Sequence, residues 1–518
     1  MTPDITRWVT TVALVRPSLR DNTSDADRLA GALKKQLSTD VVEIDFEILK
    51  KLPDLLRQWD YNVRCVVFRD RDRWVLTHID RSGDTPSPAG LAIDLGTTRV
   101  VLRLLDLASG KTLAESSFDN PQISVAPDIL ARIHHADTPG GLAQLNDLII
   151  TGINQALMDL CRSCSTDPVD IHLLALAGNT AMTHLFLGLN PHWIIREPYI
   201  PVVNRPGVLK AADVGIKAAP RARMLIFPNI GSYFGGDLVA GILYSGINKA
   251  MDTAILVDVG TNAEVVLGNS SWLIACAGAA GPALEGGVTR MGMMAAPGVI
   301  DRISIDPATC EFDVHTIEEK LPCGICGSGV IDLAAGLFLA GMVDIRGRLL
   351  PEKCGTRLQE KNGMHHLVVV PRDQSATGYD LTISQADIDS LIRSKAAMYT
   401  ILETLTASVG MVPGDLSTFY VSGTFGSFIN PGSAISIGML PDLPINSYKP
   451  LGNSSLGGAA MALTSPSCVD EIDRIRDRIT YLELNVNQEF MNRFSAAKFL
   501  PHTDLSLFPS VKKRATFF

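Results

Sequence analysis

The 518-residue chain carries 46 basic and 55 acidic side chains, which gives a net charge of −9 at pH 7. This acidic balance excludes a general affinity for nucleic acid or for anionic membranes. The longest uncharged stretches, residues 265–284 and 450–469, are interrupted by Gly, Pro, Asn and Ser, so neither is a membrane helix. No basic and apolar leader opens the chain, which predicts a cytoplasmic protein. The length predicts about two or three domains.

The N-terminal region predicts a small α/β unit. Ser24 and Asp27 have the spacing of an N-terminal helix cap. The Pro, Gly and Ser residues of 82–90 predict a linker, so the first domain is expected to span residues 1–89. The predicted elements of this domain are, in order, a helix over 25–37, a strand over 41–46, a helix over 47–59 and a hairpin of 63–68 with 74–79.

Beyond the linker, one short pattern occurs twice. The sequence LAIDLGTT at residues 91–98 returns as ILVDVGTN at residues 255–262, with Asp94 and Asp258 in the same place. Each copy predicts a buried strand that ends in Asp, a tight turn that glycine permits, and a returning strand. A single copy is typical of an ordinary β-turn, whereas two copies indicate a duplicated structure.

These two loops suit the phosphates of a nucleotide. Backbone N–H groups and Thr hydroxyls at a glycine turn can point at phosphate oxygens. A carboxylate at the end of the strand can hold a divalent cation through water. The number of residues between the two copies is that of a whole lobe. The sequence therefore predicts two α/β lobes, over residues 90–252 and 253–518, that face each other across a nucleotide cleft.

The remaining elements follow in chain order. The C-terminal stretch is expected to dock back as a mixed strand and helix, because exposing Phe490, Phe494 and Phe499 would be costly. The other predicted features are an amphipathic helix over 142–164, a buried strand that meets a helix at 178–180, a helix over 330–343, a strand that enters a glycine turn at 419–426, and a helix that follows Asn453.

In this order the motifs resemble the ATPase superfamily of acetate and sugar kinases, heat-shock chaperones and actin. The junction at 178–180 and the helix after Asn453 resemble its two connecting elements, and the turn at 419–426 resembles its adenosine motif. The resemblance implies an α/β fold with duplicated RNase H-like lobes of the actin and sugar-kinase type, preceded by the small N-terminal α/β domain. It also implies ATP and Mg²⁺ as cofactors.

The same resemblance assigns roles to individual residues. Asp94 and Asp258 are expected to hold Mg²⁺ through water, and Asp237 and Glu264 are candidates to orient the attacking water. A structural carboxylate that caps a loop or a helix is the alternative for Asp237 and Glu264. The other expected nucleotide-binding residues are Gly96, Thr97, Thr98, Asn179, Gly260, Thr261 and Asn262, with Gly423 and Gly426 against the adenosine.

Four further segments narrow the resemblance to the reductive activators of corrinoid enzymes. They are NIGSYFGGDLVAG at 229–241, AGPALEG at 280–286, MAAPGVID at 294–301 and CGICGSGVID at 323–332, and the tail at 481–509 is similar too. Members of that family use ATP to help return an inactivated Co(II) corrinoid protein of a methyltransferase system to the methyl-accepting Co(I) state. The resemblance therefore implies a corrinoid protein as the partner.

The sequence departs from the family in one respect. Family members usually begin with a plant-type ferredoxin domain, in which cysteines hold a 2Fe-2S cluster. Here Cys65 is the sole cysteine before Leu91, so no iron–sulfur cluster is expected in this chain. Either a separate low-potential donor such as a ferredoxin supplies the electrons, or the sequence is shortened.

Two cysteine pairs have C-x-x-C spacing, Cys161 with Cys164 and Cys323 with Cys326. Four thiolates could hold zinc or a cluster, whereas the alternative is packing. The pattern favours packing, because Cys161 falls on the apolar face of the predicted helix and the second pair lies at a glycine turn before another helix.

Two other functional classes remain open. The same cleft phosphorylates small molecules elsewhere in the superfamily, so a small-molecule kinase is the first. A nucleotide-gated binding protein of the chaperone or actin type is the second. The sequence predicts no nucleic-acid partner and no membrane partner, and it leaves a homodimer open.

Overall fold

The computed structural model describes residues 7–70, 73–83, 86–260, 263–278, 289–423, 429–482 and 488–514. The chain divides into two compact units. Unit one comprises residues 1–244 and 454–478, and unit two comprises residues 245–453 and 479–518. None of the described helices is long and apolar enough to cross a membrane.

Unit one begins with a four-stranded sheet in the order β1-β3-β4-β2. Its strands are β1 Val9–Ala13, β2 Val42–Ile44, β3 Asn62–Asp70 and β4 Arg73–Arg81, and its helices are Asp25–Leu37, Phe46–Leu49 and Leu52–Gln58. The predicted hairpin is confirmed, since β3 and β4 are antiparallel neighbours. The strand β1, which the sequence analysis did not anticipate, pairs antiparallel with β3.

Of the two helices predicted in this region, one is confirmed and one is wrong in its extent. The helix Asp25–Leu37 is confirmed, and the hydroxyl of Ser24 caps it by accepting the N–H of Asp27 at 3.1 Å. The helix predicted over 47–59 is wrong in its extent, because the chain forms two short helices there. Pro53 lies in the first turn of the second helix, where its missing N–H costs nothing. The same proline would interrupt a single helix that continued through residues 47–59.

The first lobe, also in unit one, is built on a six-stranded sheet in the order β7-β6-β5-β8-β10-β9. The first three strands form an antiparallel meander, whereas β8 runs parallel to β5 and β10 parallel to β8. The strands are β5 Ala89–Leu95, β6 Arg99–Asp106, β7 Thr112–Asp119, β8 Ile171–Gly178, β9 Gly207–Lys210 and β10 Arg223–Ile226. The helices are Ile129–Ala136, Gly141–Ser163, Thr180–Phe186, Gly236–Ser245, Ser454–Thr464 and Ser467–Arg478.

The core of this lobe lies between the sheet and its helices. Every residue of β8 is buried, as expected for a parallel strand covered on both faces. The helix predicted over 142–164 is confirmed as Gly141–Ser163, and its apolar face, including Leu145, Leu157 and Cys161, is buried. Burial raises the pKa of the Cys161 thiol to about 11. Cys161 is therefore a small core residue, as the helical pattern indicated.

The second lobe, in unit two, repeats this topology over five strands, and its sixth strand lies at the opposite edge of the sheet. Its six-stranded sheet has the order β21-β20-β11-β12-β13-β22. An antiparallel meander of β11, β12 and β13 is again followed by β20, parallel to β11, and by β21, parallel to β20. The duplication of RNase H-like lobes predicted from the two loops is confirmed. The strands of this sheet are β11 Ala254–Val259, β12 Ala263–Gly268, β13 Leu273–Gly278, β20 Thr418–Ser422, β21 Tyr448–Gly452 and β22 Ile479–Tyr481.

Two three-stranded sheets and six helices complete the described part of unit two. The sheets are ordered β15-β14-β16 and β17-β18-β19, with β14 Val299–Ile305, β15 Phe312–Thr316, β16 Gly324–Ile325, β17 Leu358–Lys361, β18 Met364–Val370 and β19 Leu381–Ser384. The helices are Gly327–Leu339, Pro351–Cys354, Gln385–Ala407, Pro431–Ser436, Gln488–Ala497 and Pro509–Arg514.

The helices of unit two correct one boundary and confirm one prediction. The helix predicted over 330–343 begins at Gly327 and ends at Leu339, because Gly341 adopts a left-handed backbone with φ of 65°. The predicted docking of the C-terminal stretch is confirmed by the helix Gln488–Ala497, whose Phe490 and Phe494 pack against the core of unit two.

Candidate functional site

The first Asp-Gly-Thr loop joins β5 to β6 in the first lobe. Asp94 is half-buried at the end of β5, and its carboxylate accepts a hydrogen bond of 2.7 Å from the hydroxyl of Ser455. Ser455 lies in the first turn of the helix Ser454–Thr464, which packs on β5, β6 and β8. A Cβ at Gly96 would lie 2.2 Å from the carbonyl oxygen of Arg99. The turn therefore requires glycine at this position, as the sequence predicted.

The loop backbone is held from the side of β7. The Asn120 side-chain amide donates to the carbonyl oxygen of Gly96 at 3.0 Å, and the Asn120 N–H donates to the carbonyl oxygen of Thr98 at 2.8 Å. Thr97 is half-buried and Thr98 is exposed. The two threonines thus stand on a loop whose backbone is fixed by one buried asparagine.

Asn179 holds the same loop from the side of β8. Its amide oxygen caps the helix Thr180–Phe186 by accepting the N–H of Met182 at 2.9 Å, and its amide nitrogen donates to the Thr97 hydroxyl at 3.0 Å. The strand-to-helix junction predicted at Gly178 to Thr180 therefore contacts the first loop directly. In this role Asn179 is a support for Thr97 as well as a candidate ligand of the nucleotide.

Asp237 belongs to the same part of the first lobe. It lies in the first turn of the helix Gly236–Ser245 and accepts the N–H of Leu238 at 2.9 Å. A Cβ at Gly235 would lie 2.3 Å from the Cα of Asn179 and 2.6 Å from an Asp237 carboxylate oxygen. Gly235 thus allows Asp237 to approach Asn179. The helix-capping interpretation of Asp237 has a contact in its favour, and a role toward water stays a prediction.

The second Asp-Gly-Thr loop follows β11 in the second lobe. Asp258 is half-buried, and it accepts a 3.1 Å hydrogen bond from the hydroxyl of Ser422, the residue directly beside it on β20. Gly423 has a left-handed backbone with φ of 88°, and a Cβ there would lie 2.6 Å from the carbonyl oxygen of Val259. Gly260 follows β11, whereas Thr261, Asn262 and Gly426 lie outside the described residues.

Glu264 stands directly opposite Asp258 in the antiparallel pair of β11 and β12. Residues opposite each other in such a pair share one face, with Cβ atoms about 4.5–5.5 Å apart, and two like charges there are unfavourable. Both side chains are half-buried. Two carboxylates in this arrangement are the oxygen donors that Mg²⁺ prefers, so the residues present fit the cation that the sequence implied.

Three polar residues that contact the two loops or their aspartates were not predicted from the sequence. They are Asn120, Ser422 and Ser455. Ser455 could have been predicted, because it lies in the helix after Asn453 that resembles a connecting element of the superfamily. Ser422 precedes the glycine turn in the same way as Ala177 precedes Gly178, so an alignment of the two lobes by register would have found it.

The C-x-x-C pairs do not gather into a ligand set. Cys323 and Cys326 flank the two-residue strand β16, so extended backbone separates their Cα atoms by about 10 Å, beyond the reach of a disulfide. Cys326 occupies the N-cap position of the helix Gly327–Leu339 without a capping hydrogen bond from its side chain, and its thiol lies 3.2 Å from the Ser328 hydroxyl. In the part of the chain that the structure describes, no three His, Cys, Asp or Glu side chains are grouped to hold a metal ion. The positions of these cysteines agree with packing.

Models of one protein family match nearly the whole chain. Three family models match it in order: the RACo linker region at residues 4–86, the RACo middle region at 89–250, and the C-terminal domain of RACo, described as the ASKHA domain, at 252–512. A solved structure titled reductive activator for corrinoid, iron-sulfur protein is 37% identical and superposes with a TM-score of 0.86, over 98% of this chain and 81% of its own.

Two curated proteins are also similar over most of the chain. The corrinoid activation enzyme RamQ of Eubacterium limosum is 29% identical over 88% of this chain and 80% of its own length. The reductase of the Co(II) methylated amine-specific corrinoid protein from Methanosarcina barkeri is 24% identical over 78% of this chain and 75% of its own.

Proposed function

Because the chain belongs to the RACo family of reductive activators, we propose that it uses ATP to return a Co(II) corrinoid protein of a methyltransferase system to Co(I). The observation that carries the proposal is the repeated loop, Asp94 in one lobe and Asp258 in the other, each on the same strand of the same sheet topology. The names of all three relatives described above refer to a corrinoid, and two of them name a corrinoid protein.

Each lobe contributes chemistry that suits Mg-ATP. In the first lobe, Thr97 and Thr98 stand on a backbone that Asn120 fixes, which suits them to bind phosphate oxygens. In the second lobe, Asp258 and Glu264 form an opposed carboxylate pair that suits a divalent cation. Bound Mg²⁺ would neutralise charge on the phosphates. Gly260, Thr261 and Asn262 at the phosphates, and Gly423 with Gly426 at the adenosine, complete the proposed set.

Two carboxylates are proposed to orient the attacking water. Asp237 lies beside Asn179 in the first lobe, and Glu264 lies opposite Asp258 in the second. Orienting water is the main task of such a residue in phosphoryl transfer, because catalysis there is chiefly positioning and charge stabilisation. Asp94 is proposed to hold the cation through water, with its carboxylate kept in place by Ser455.

The energetic role of ATP follows from differential affinity. A protein shifts an equilibrium in its partner only by binding one state more tightly than the other. Moving a ratio from 1:99 to 99:1 needs about 5.5 kcal/mol, which for a one-electron couple is roughly 240 mV. We propose that ATP hydrolysis drives binding to or release from the corrinoid protein. Because ATP hydrolysis supplies no electron, a separate low-potential donor such as a ferredoxin is part of the proposal.

The visible spectrum of a corrinoid protein tests this function, because it distinguishes Co(II) from Co(I). Reactions would contain the corrinoid protein, this protein, a reduced ferredoxin and Mg-ATP, with each component omitted in turn. We expect Co(I) to form only in the complete mixture, and Asp258→Ala to abolish its formation. Equal reduction without ATP, or phosphorylation of a small hydroxyl or carboxylate compound instead, would contradict the proposal.

A further inference from the structure

A buried arginine lies behind the first loop. Arg132, on the helix Ile129–Ala136, is 0% exposed. Its guanidinium donates to the Ala126 carbonyl oxygen at 3.1 Å, to the Gln122 amide oxygen at 3.2 Å and to the Met182 sulfur at 3.2 Å. Among the described residues this group forms no salt bridge and its Nη2 has no hydrogen-bond partner, although the Asp128 carboxylate at the start of the same helix acts on its charge. Burial lowers the pKa of Arg132 to about 10, which keeps it charged at neutral pH.

The first contact connects Arg132 to the backbone of the loop. Gln122, also 0% exposed, accepts from Arg132, donates from its side chain to the Leu145 carbonyl oxygen at 2.9 Å, and donates its N–H to the Asn120 side chain at 3.1 Å. Asn120 in turn holds the carbonyl oxygen of Gly96. A chain of three buried polar residues therefore runs from Arg132 to the glycine of the loop, with the backbone N–H of Gln122 as its middle link.

The second contact connects the same guanidinium to the other support of the loop. Met182, whose sulfur accepts from Arg132, donates its N–H to the Asn179 amide oxygen. Asn179 donates to the Thr97 hydroxyl. Arg132 thus touches both arms that hold the loop, one through Gln122 and one through Met182.

An unpaired cation in such a place has two physical consequences. Its burial is costly, because Asp128 offsets only part of the lost hydration and forms no salt bridge with it. Its field is weakly screened, because the surrounding protein is less polarisable than water. A nearby polyanion would gain from that field in proportion to its charge, whereas a neutral ligand would gain nothing.

We propose that Arg132 is a positioning residue for the first phosphate loop and that its charge selects ligands by their number of phosphates. The inference rests on the proposed function, since it presumes that this loop binds the phosphates of ATP. It adds to that function a residue 38 positions from Asp94 that no phosphate-loop motif contains.

The test compares binding of Mg-ATP, Mg-ADP and adenosine by titration calorimetry on the whole chain. We expect Arg132→Met to weaken Mg-ATP binding about tenfold, Mg-ADP binding less, and adenosine binding not at all. Arg132→Lys retains a cation without the planar fork, so it should keep the preference for ATP while lowering kcat. If Arg132→Met weakened the binding of all three ligands equally, the proposal that the charge of Arg132 selects ligands by their phosphates would be overturned.

Gln122→Leu tests the positioning part, because it removes the side-chain hydrogen bonds of Gln122 to Arg132 and Leu145 and leaves the cation in place. We expect kcat for ATP hydrolysis to fall about tenfold with the preference for ATP over adenosine unchanged. Asn154→Leu is the matched control: Asn154 also bridges two backbone groups, accepting from Lys217 N–H and donating to the Gly215 carbonyl oxygen, each at 2.8 Å. It should lower the melting temperature without changing kcat, and equal kcat losses in both variants would overturn the positioning part.

These outcomes separate the inference from the function it rests on. A wild-type chain that binds no Mg-ATP would overturn both. A wild-type chain that hydrolyses ATP, with variants that differ from it only in stability, would overturn the inference alone. If Arg132→Met does not fold, Arg132→Gln replaces it in the electrostatic test, because it removes the charge and keeps a polar side chain, and Gln122→Leu still decides the positioning part.

Discussion

Asp94 in the first lobe and Asp258 in the second end equivalent strands, yet their carboxylates are held by different partners. On the strand beside Asp258 the paired residue is Ser422, which donates its hydroxyl to the carboxylate. On the strand beside Asp94 the paired residue is Ala177, and the hydroxyl comes instead from Ser455, 361 residues along the chain. A serine hydroxyl thus donates to the carboxylate in both lobes, whereas the segment that supplies the serine differs.

The glycine after each of these strands has the same task in both lobes. A Cβ at Gly178 would lie 2.9 Å from the carbonyl oxygen of Leu95, and one at Gly423 would lie 2.6 Å from that of Val259. Leu95 and Val259 are the residues that follow the two aspartates. Close approach of the second strand to the loop is therefore common to both lobes, and only Gly423 also needs a positive φ.

The hairpins themselves differ in length and charge. Leu95 pairs with Val100, whereas Val259 pairs with Ala263, so the second hairpin is one residue shorter. As a result Asp94 faces Val101, and Asp258 faces Glu264. Of the two hairpins, the second thus opposes two carboxylates, and we propose a division of work in which the second loop contributes more to cation binding than the first.

Loss of the Asp258 carboxylate should have the largest effect on ATP hydrolysis. Asp258→Asn is expected to lower ATP hydrolysis about a hundredfold or more and to raise the Mg²⁺ concentration needed for activity, because the cation loses a charged partner. Asp94→Asn should shift the Mg²⁺ requirement less. Steady-state hydrolysis across a Mg²⁺ titration measures both, with circular dichroism to check the fold. Equal Mg²⁺ shifts in the two variants would remove the proposed division of work.

The carboxylate opposite Asp258 should affect activity and stability in opposite directions. Glu264→Gln is expected to lower hydrolysis about tenfold. It should also raise the melting temperature in EDTA, because two like charges no longer face each other. Added Mg²⁺ should stabilise the wild type more than this variant. A lower melting temperature of Glu264→Gln in EDTA would show that the charge pair is not repulsive in the folded protein.

Alanine at the paired glycines should separate close approach from backbone strain. Gly423→Ala is expected to cost about 2 kcal/mol or more in the free energy of unfolding, since it adds a steric conflict to a left-handed backbone. Gly178→Ala should cost about 1 kcal/mol, because only the steric conflict applies. Denaturant unfolding measures the two values. If Gly178→Ala cost more than Gly423→Ala, the positive φ of Gly423 would not explain the difference between the two sites.

Exchange of the hydroxyl donors should have the smallest effect. Ser455→Ala and Ser422→Ala each remove one hydrogen bond to a carboxylate, so ATP hydrolysis should fall about fivefold. Ala177→Ser added to Ser455→Ala places a hydroxyl beside Asp94 as in the second lobe, and it should restore part of the loss. Kinetic assays of the single and double variants decide this, and a double variant slower than Ser455→Ala would show that the two arrangements are not interchangeable.

Local patterns in the sequence predicted a large part of the fold. The helix Asp25–Leu37 follows from its cap, the helix Gly141–Ser163 from its apolar periodicity, and the two lobes from the repeated loop. The signals are strong because caps, periodicity and tight turns act between residues a few positions apart. The division of the helix predicted over 47–59 was missed, although Pro53 was visible, because a proline can stand inside a first turn or end a helix.

The sequence by itself determined that Asp94 and Asp258 end equivalent strands, since the two eight-residue patterns can be aligned without any structure. Only the tertiary structure decided which residues surround them. Ser455 reaches Asp94 across 361 residues, and Arg132 reaches the first loop through Gln122 and Met182, none of which share a motif. Such partners are set by how sheets and helices pack, because hydrogen bonds between distant segments form only where the fold brings their atoms within about 3 Å.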